Sequence, residues 1–192
     1  STAIKFGMAK GKNGSRDSGI SSLADLARLD PTTKRVLDMP FAYYIIWAYP
    51  FDGAPWNRPL TAEEKTKEYK EMYEFAVYLQ NTYNGAGKRF YLGHWEGDWY
   101  LHANYDPNAD VPDAKIQGMI DWLTARQKAV DDANKRTAHH DVWVYNYAEA
   151  NLVKIAFEGK RCMANDVIPK VNLDYVSYSS YDTEHDPKLL KQ

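Results

Sequence analysis

The sequence predicts an α/β protein of the parallel (β/α) barrel type, with about five βα units and therefore an incomplete barrel. Short runs rich in aromatic and β-branched residues alternate along the chain with segments of helical periodicity. Strands that alternate with helical crossovers form a mostly parallel sheet. The chain has 192 residues, whereas a whole barrel usually needs about 250 residues. An open doubly wound α/β sheet is the alternative that fits this length.

The first half of the chain predicts two strands, each followed by a helix. Ala3–Met8 is the first strand, and Ser21 or Ser22 caps the helix that follows it. Phe41–Tyr49 is the second strand, because it is a short run rich in aromatic and β-branched residues. Thr61 caps a long helix whose apolar residues recur at helical spacing.

The second half predicts three more strands. Arg89–Leu101 is the third strand together with its exit loop, and a second long helix begins at Asp113. Asp141–Glu149 and Leu173–Asp182 are the fourth and fifth strands. We expect residues 1–192 to form a single barrel-like domain, which a larger barrel could contain as a fragment.

Composition argues against several classes of protein. The formal net charge of -2 is unlike that of a nucleic-acid binder that relies on bulk electrostatics. No apolar run approaches the roughly 20 residues of a transmembrane helix, and the single cysteine, Cys162, excludes an intrachain disulfide. Fifteen tyrosines and six tryptophans, many beside acids and amides, favour a carbohydrate-binding surface, with a tyrosine-rich core as the alternative.

The predicted strands end in aromatic and polar residues. Parallel α/β folds bind ligands at the carboxyl ends of their strands. No glycine-rich phosphate loop follows the first strand, so the acids and aromatics at these ends favour a sugar over a nucleotide. The four ends are WAY at 47–49, WEGDW at 95–99, YAEAN at 147–151 and SYSSYD at 177–182.

Three of these motifs resemble a known enzyme family. Glu149 in VYNYAEAN, the GHWEGDW turn and SYSSYD are similar to the N-terminal part of a TIM-barrel glycoside hydrolase, in the group with an acid/base glutamate at the end of strand four. The resemblance covers nearly the whole chain in topology and implies that Glu149 is the acid/base. Two departures stand out. Ala148 replaces the asparagine that usually precedes this glutamate, and the chain holds no strand seven, where the family places its nucleophile.

Glu149 and Glu96 are the candidate catalytic residues. Glycoside hydrolysis needs one protonated and one ionised carboxyl, about 5–5.5 Å apart for retention and about 6.5–9.5 Å apart for inversion. We expect the aromatic residues around Glu149 to raise its affinity for a proton, as a general acid requires. The alternative is structural: a hydrogen-bond network for Glu149, and a loop cap or an ion pair for Glu96.

Seven further residues are candidates for substrate binding. Trp99 would stack on the apolar face of a sugar, and His94, which shares a strand face with Glu96, would contact the same substrate. The alternative for Asp182 is a helix N-cap, and the alternative for Tyr178 is an ordinary buried tyrosine. The full set is Trp47, His94, Asp98, Trp99, Asn146, Tyr178 and Asp182.

We therefore expect a glycoside hydrolase-like domain that acts on or binds carbohydrate, with a non-catalytic carbohydrate-binding or structural protein of the same fold as the alternative. No cofactor is expected. No metal is expected either, although His94 and Glu96 have the spacing of two ligands on one strand face. We expect neither nucleic acid nor a membrane as a partner.

Assembly and location follow from the same reasoning. A five-strand piece of a barrel has two open edges that invite pairing, so we expect self-association or a second chain that completes the barrel. Asn13-Gly14-Ser15 matches an N-glycosylation sequon. Such triplets arise often by chance, so the sequon adds little to the expectation of an extracellular or secreted protein.

Overall fold

The strands form one parallel sheet in the order in which they occur along the chain. A computed structural model describes residues 2–11, 19–53, 56–186 and 188, so the sequon at 13–15 lies outside the described residues. All four strand pairings are parallel, which confirms the predicted fold class. The five strands are β1 (Ala3–Met8), β2 (Tyr43–Ala48), β3 (Lys88–Gly93), β4 (Val142–Ala150) and β5 (Tyr175–Tyr178).

Helical segments connect these strands. Among the described helices, none has both the length and the apolar character needed to cross a bilayer. Six are α-helices: α1 (Leu23–Leu29), α2 (Pro31–Asp38), α3 (Ala62–Thr82), α4 (Asp98–Leu101), α5 (Asp113–Arg136) and α6 (Val153–Phe157). The remainder are 3₁₀-helices at Ala103–Tyr105 and Ile168–Lys170 and a π-helix at Met163–Val167.

Strand order distinguishes a barrel-type sheet from a doubly wound one. A doubly wound sheet reverses its strand order at a switch point, whereas the described strands run from β1 to β5 without a reversal. Helices α3 and α5 pack against each other and α1 packs against α3, so these helices cover one face of the sheet. This arrangement is that of consecutive units in a (β/α) barrel.

Side chains alternate between a face covered by helices and an open face. Phe90 and Val144 are paired in register and are fully buried against the helices. The next residues, Tyr91 and Tyr145, point to the other side of the sheet, which we call the open face, and are only half-buried. The rings of Tyr91, Tyr145 and Tyr175 have centroids 5.1 to 5.2 Å apart on this face.

Local capping chemistry explains where the helices begin. Thr61 caps α3 as expected: its hydroxyl accepts from the N–H of Glu64, whose carboxylate accepts from the N–H of Thr61. The single helix expected after β1 is divided in two, because the Asp30 carboxylate accepts from the N–H of Thr33 at 2.7 Å. That bond makes Asp30 the cap of a new helix, which begins at Pro31.

Glu71 on α3 connects two other parts of the fold. Its carboxylate accepts hydrogen bonds from the N–H of Leu23 at 3.1 Å, at the start of α1, and from the N–H of Phe51 at 3.1 Å, just after β2. The same side chain lines a groove of about 1000 Å³ next to these segments. Burial raises the pKa of the Glu71 carboxyl to about 7, and neighbouring Glu68 adds to this rise.

We expect Glu71 to make the stability of the protein depend on pH. Its ordinary pKa is 4.5 and its folded pKa is about 7, so the folded chain holds a proton that the unfolded chain releases between these values. The stabilising contribution is therefore complete below pH 4.5 and is lost as the pH rises through about 7. In the wild type, the free energy of unfolding should therefore fall as the pH rises. In Glu71→Gln, which cannot release this proton, the fall should be smaller by roughly 1–3 kcal/mol.

Chemical denaturation between pH 4 and pH 9 checks this expectation. Glu63→Gln is the matched control, because Glu63 lies on the same helix and its side chain is exposed. The control should keep the pH dependence of the wild type. An identical pH dependence in wild type and Glu71→Gln would contradict the assignment of the raised pKa.

Candidate functional site

Glu149 lies buried at the carboxyl end of β4, where three side chains from other parts of the chain bind its carboxylate. Its side chain is only 1% exposed. Oε2 accepts from Lys5 Nζ on β1 at 3.0 Å and from the indole N–H of Trp47 on β2 at 3.2 Å. Oε1 accepts from the hydroxyl of Ser179, just after β5, at 2.5 Å. The site therefore joins the ends of strands that are far apart in sequence.

The hydrogen-bond partners of Glu149 determine whether its carboxyl group donates or accepts in those bonds. An ammonium and an indole N–H can only donate hydrogen bonds, so Oε2 acts as an acceptor from Lys5 and Trp47. Lys5 also forms an ion pair with Oε2 at 3.0 Å. The Glu149 carboxyl group is thus the acceptor in its contacts with Lys5 and Trp47.

Glu96 lies in the turn that follows β3, beside the end of β4. Its Oε2 accepts from the indole N–H of Trp99 at 2.8 Å, and its backbone has a φ of 22°. The next N–H in the chain, that of Gly97, donates to the carbonyl oxygen of Glu149 at 2.7 Å. The structure thus brings the two candidate acids into neighbouring segments. The hydrogen bond between Glu96 and Trp99 gives an acid and an indole of this turn a structural role.

Asp98 connects this turn to the segments that follow β4. Oδ2 accepts from the N–H groups of Asn151 at 2.8 Å and Leu152 at 3.0 Å, and Oδ1 accepts from the N–H of Met163 at 2.6 Å. The Asp98 side chain is buried. Because both oxygens are occupied by backbone donors, Asp98 holds the turn in place, and this geometry offers no support for the expected contact with a sugar.

His94 is buried on the helix side of the sheet. Its ring lies against the rings of Trp122 and Tyr100, and its Nδ1 is 3.1 Å from the carbonyl oxygen of Trp95. Burial lowers the pKa of His94 to about 4, so the ring is neutral at pH 7. The sequence placed His94 and Glu96 on one strand face, but β3 ends at Gly93, and the alternation stops there.

Asn146 also faces the helices rather than the open face. Its side-chain amide donates to Gln127 Oε1 on α5 at 3.3 Å, and its backbone N–H donates to Asp174 at 2.9 Å. The residue is fully buried. These contacts connect β4 to α5 and to the segment before β5, away from Glu149.

Tyr178 and Asp182 form a separate contact at the end of β5. The Tyr178 hydroxyl donates to the Asp182 carboxylate at 2.6 Å, and that carboxylate also accepts from the N–H of Lys154 at 2.6 Å. Asp182 therefore binds the first turn of α6. The alternative from the sequence was a helix N-cap, but no helix follows Asp182 in the described part of the chain.

Three residues of the site were not identified from the sequence: Lys5, Ser179 and Tyr147. Lys5 left one signal, since it is the only charged residue in the strand AIKFGM. Tyr147 lies two residues before Glu149 and points to the same face of the sheet. Its hydroxyl is buried without a hydrogen-bond partner among the described residues. Burial raises the pKa of the Tyr147 hydroxyl, and the charge of Glu149 adds to this rise.

The ring of Tyr147 occupies space that a side chain at position 93 would fill. A Cβ atom on Gly93 would lie 2.3 Å from the Tyr147 ring. Gly93 therefore lets the ring cross the neighbouring strand and approach Trp47 and Glu149. This close approach explains why β3 ends in a residue without a side chain.

The described residues contain no group of three or more His, Cys, Asp or Glu side chains placed to hold a metal ion. Comparison with protein-family models, with characterised proteins and with solved structures gives no match for the chain. The functional assignment therefore depends on the geometry and chemistry of the site itself.

We expect Gly93→Ala to destabilise the protein, because the new methyl group displaces the Tyr147 ring. Overpacking of this kind costs about 1–3 kcal/mol, which chemical denaturation measures. Gly7→Ala is the matched control: Gly7 is paired in register next to Trp47 on the other side of β2, and its Cβ would lie an ordinary 3.6 Å from that indole. Equal stability of the two variants would contradict the close approach of Tyr147.

Proposed function

We propose that this domain binds carbohydrate at the carboxyl ends of its strands and acts on it as a glycoside hydrolase-like enzyme. The observation that carries the proposal is the buried Glu149 carboxylate, held by Lys5, Trp47 and Ser179. Ligands of parallel α/β folds bind at this end of the sheet. The Glu96 turn, with its indole and second carboxylate, lies directly beside it.

The hydrogen bonds support a division of roles that reverses the expectation from the sequence. Glu149, with an ammonium beside it, serves as the ionised carboxylate that attacks the sugar or activates water. Glu96 serves as the general acid: Trp99 occupies Oε2, and Oε1 has no protein partner among the described residues. A glycosidase needs such a pair, one carboxyl ionised and the other protonated.

Access to Glu149 requires that a covering side chain moves. Glu149 is 1% exposed, whereas the Lys5 side chain that covers it is 38% exposed. Lys5 lies on β1, at one edge of the described sheet, and a lysine side chain is long and flexible. A sugar hydroxyl that donates to Oε2 in place of Lys5 keeps the carboxylate satisfied.

A non-catalytic carbohydrate-binding protein of the same fold is the second candidate. The observation that favours it is that protein side chains already bind both oxygens of Glu149. The three described partners are Lys5, Trp47 and Ser179, and none of them is a second acid. Under this alternative, Glu149 is an anchor for its neighbours and not a reacting group. The two candidates differ in whether any glycoside is cleaved.

Substitution of the two glutamates separates the roles. Glu149→Gln should abolish hydrolysis of every glycoside and leave sugar binding nearly intact, because the amide oxygen can still accept from Lys5 and the amide N–H can donate to Ser179. Glu96→Gln should lower hydrolysis of natural oligosaccharides by about 10²–10⁴-fold, the usual contribution of a general acid. It should retain activity on dinitrophenyl glycosides, whose leaving group needs no proton.

Initial rates on both substrate types, with calorimetric binding of the same sugar, provide the measurement. Glu63→Gln, at an exposed position, is the control and should match the wild type. Hydrolysis that survives in Glu149→Gln would overturn the catalytic role. Binding by a wild type that cleaves no glycoside would establish the non-catalytic alternative.

We also propose that the open sheet edges take part in assembly, by self-association or by a second chain that completes the barrel. β1 and β5 are the two edge strands of the described sheet, and Tyr43 and Tyr175 on the open face are exposed. Exposed strand edges and aromatic surface both favour pairing. Light scattering after gel filtration should give a mass above the 22.1 kDa of one chain, and a stable monomer would contradict this.

A further inference from the structure

The segment between β3 and α5 concentrates unusual backbone conformations. Four residues other than glycine have a positive φ among the described residues, and three lie here: Glu96 at 22°, Asn104 at 56° and Tyr105 at 55°. Such conformations cost free energy in residues with side chains and persist only where the surroundings impose them. Contacts made by this segment therefore hold its backbone in conformations that it would not adopt by itself.

The conformation presents three aromatic rings together. The ring of Tyr105 is 5.7 Å from that of Trp99 and 6.5 Å from that of Trp95, measured between centroids. Tyr105 is 65% exposed, while Trp95 and Trp99 are half-buried. We call these three residues the ring cluster. An exposed tyrosine supported by two indoles is a surface on which a flat apolar ligand face can stack.

The ring cluster is fixed to the fold at several points. The indole of Trp99 donates to Glu96 at 2.8 Å and packs against the buried group that contains Leu152 and Cys162. The backbone N–H of Trp95 donates to the Tyr49 hydroxyl at 3.0 Å. The rings are thus largely in place before a ligand arrives, which reduces the entropy that binding must overcome.

We propose that the ring cluster is a binding subsite for one pyranose ring of a carbohydrate chain, with the ring stacked on Tyr105 and its linkage oxygen directed to Oε1 of Glu96. This inference rests on the proposed function and extends it to residues outside the Glu149 centre. The cluster adjoins that centre because Gly97, next to Glu96, is bonded to the backbone of Glu149. The sugar bound in this subsite is one unit along the carbohydrate from the sugar that reacts at Glu149.

The chemistry of the cluster selects a sugar over other flat ligands. A pyranose presents an apolar C–H face to the rings and a linkage oxygen to an acid. A nucleic acid strand needs cations for its phosphates as well as rings for stacking, and the side chains hydrogen-bonded to the cluster, Glu96 and Tyr49, supply none. The Tyr105 hydroxyl and the Glu96 carboxyl group also make the surface too polar for an apolar helix face.

Truncation of Tyr105 tests the subsite directly. Calorimetry is run on the wild type and its variants with hexameric oligosaccharides of β-1,4-linked glucose, N-acetylglucosamine, mannose and xylose. For whichever hexamer binds the wild type, Tyr105→Ala should weaken binding about tenfold, and Tyr105→Phe, which keeps the ring, should remain within about twofold. Phe157→Ala is the matched control, since Phe157 on α6 is an exposed aromatic residue outside the cluster, and it should bind as the wild type does.

The outcomes separate this inference from the proposed function. Binding by the wild type that is unchanged in Tyr105→Ala would overturn the subsite and leave the proposed function standing. Equal losses in Tyr105→Ala and Phe157→Ala would also overturn it, because the effect would not be specific to the cluster. A wild type that binds none of the hexamers would remove both proposals. Thermal unfolding of Tyr105→Ala should match the wild type, since the side chain is exposed.

Discussion

The burial of the Glu149 carboxylate is the constraint on which the arrangement of the site depends. Taking an ion out of water costs several kcal/mol unless other charges and hydrogen bonds replace its hydration. The replacements come from Lys5, 144 positions away, from Trp47 and from Ser179. Strands β1, β2 and β4 must therefore keep their positions at their carboxyl ends, together with the segment after β5, because a shift of any one leaves a buried charge without a partner.

A buried ion pair between Arg126 and Glu68 supports this site from the helix side. Nη1 of Arg126 on α5 donates to Glu68 on α3 at 2.8 Å and to the carbonyl oxygen of Ala48, the last residue of β2, at 3.0 Å. Arg126 also lies over the ring of Trp122 at 4.3 Å. The pair joins the two long helices to the end of β2, next to Trp47, and so helps to hold the indole that reaches Glu149.

Local sequence patterns predicted those features that depend on nearby residues. The Thr61 cap and the alternation of strands and helices are of this kind, and both are confirmed. The partners of Glu149 were not predictable in the same way, because Lys5 meets it only once β1 and β4 are placed in one sheet. The environment of His94 was missed for a related reason: it depends on where β3 ends, and the strand alternation predicted from the sequence runs past that end at Gly93.

Burial alone does not determine what an acid in this site can do. An apolar pocket favours the neutral form of a carboxyl group, and the aromatic residues near Glu149 led to that expectation. Lys5 and Trp47 can only donate hydrogen bonds, so Oε2 of Glu149 acts as their acceptor. Glu96 accepts a hydrogen bond from one indole N–H and, within the described part of the chain, from no cation. Two acids in adjoining segments thus have different hydrogen-bond partners, and the proposed division into an ionised carboxylate and a general acid depends on this difference.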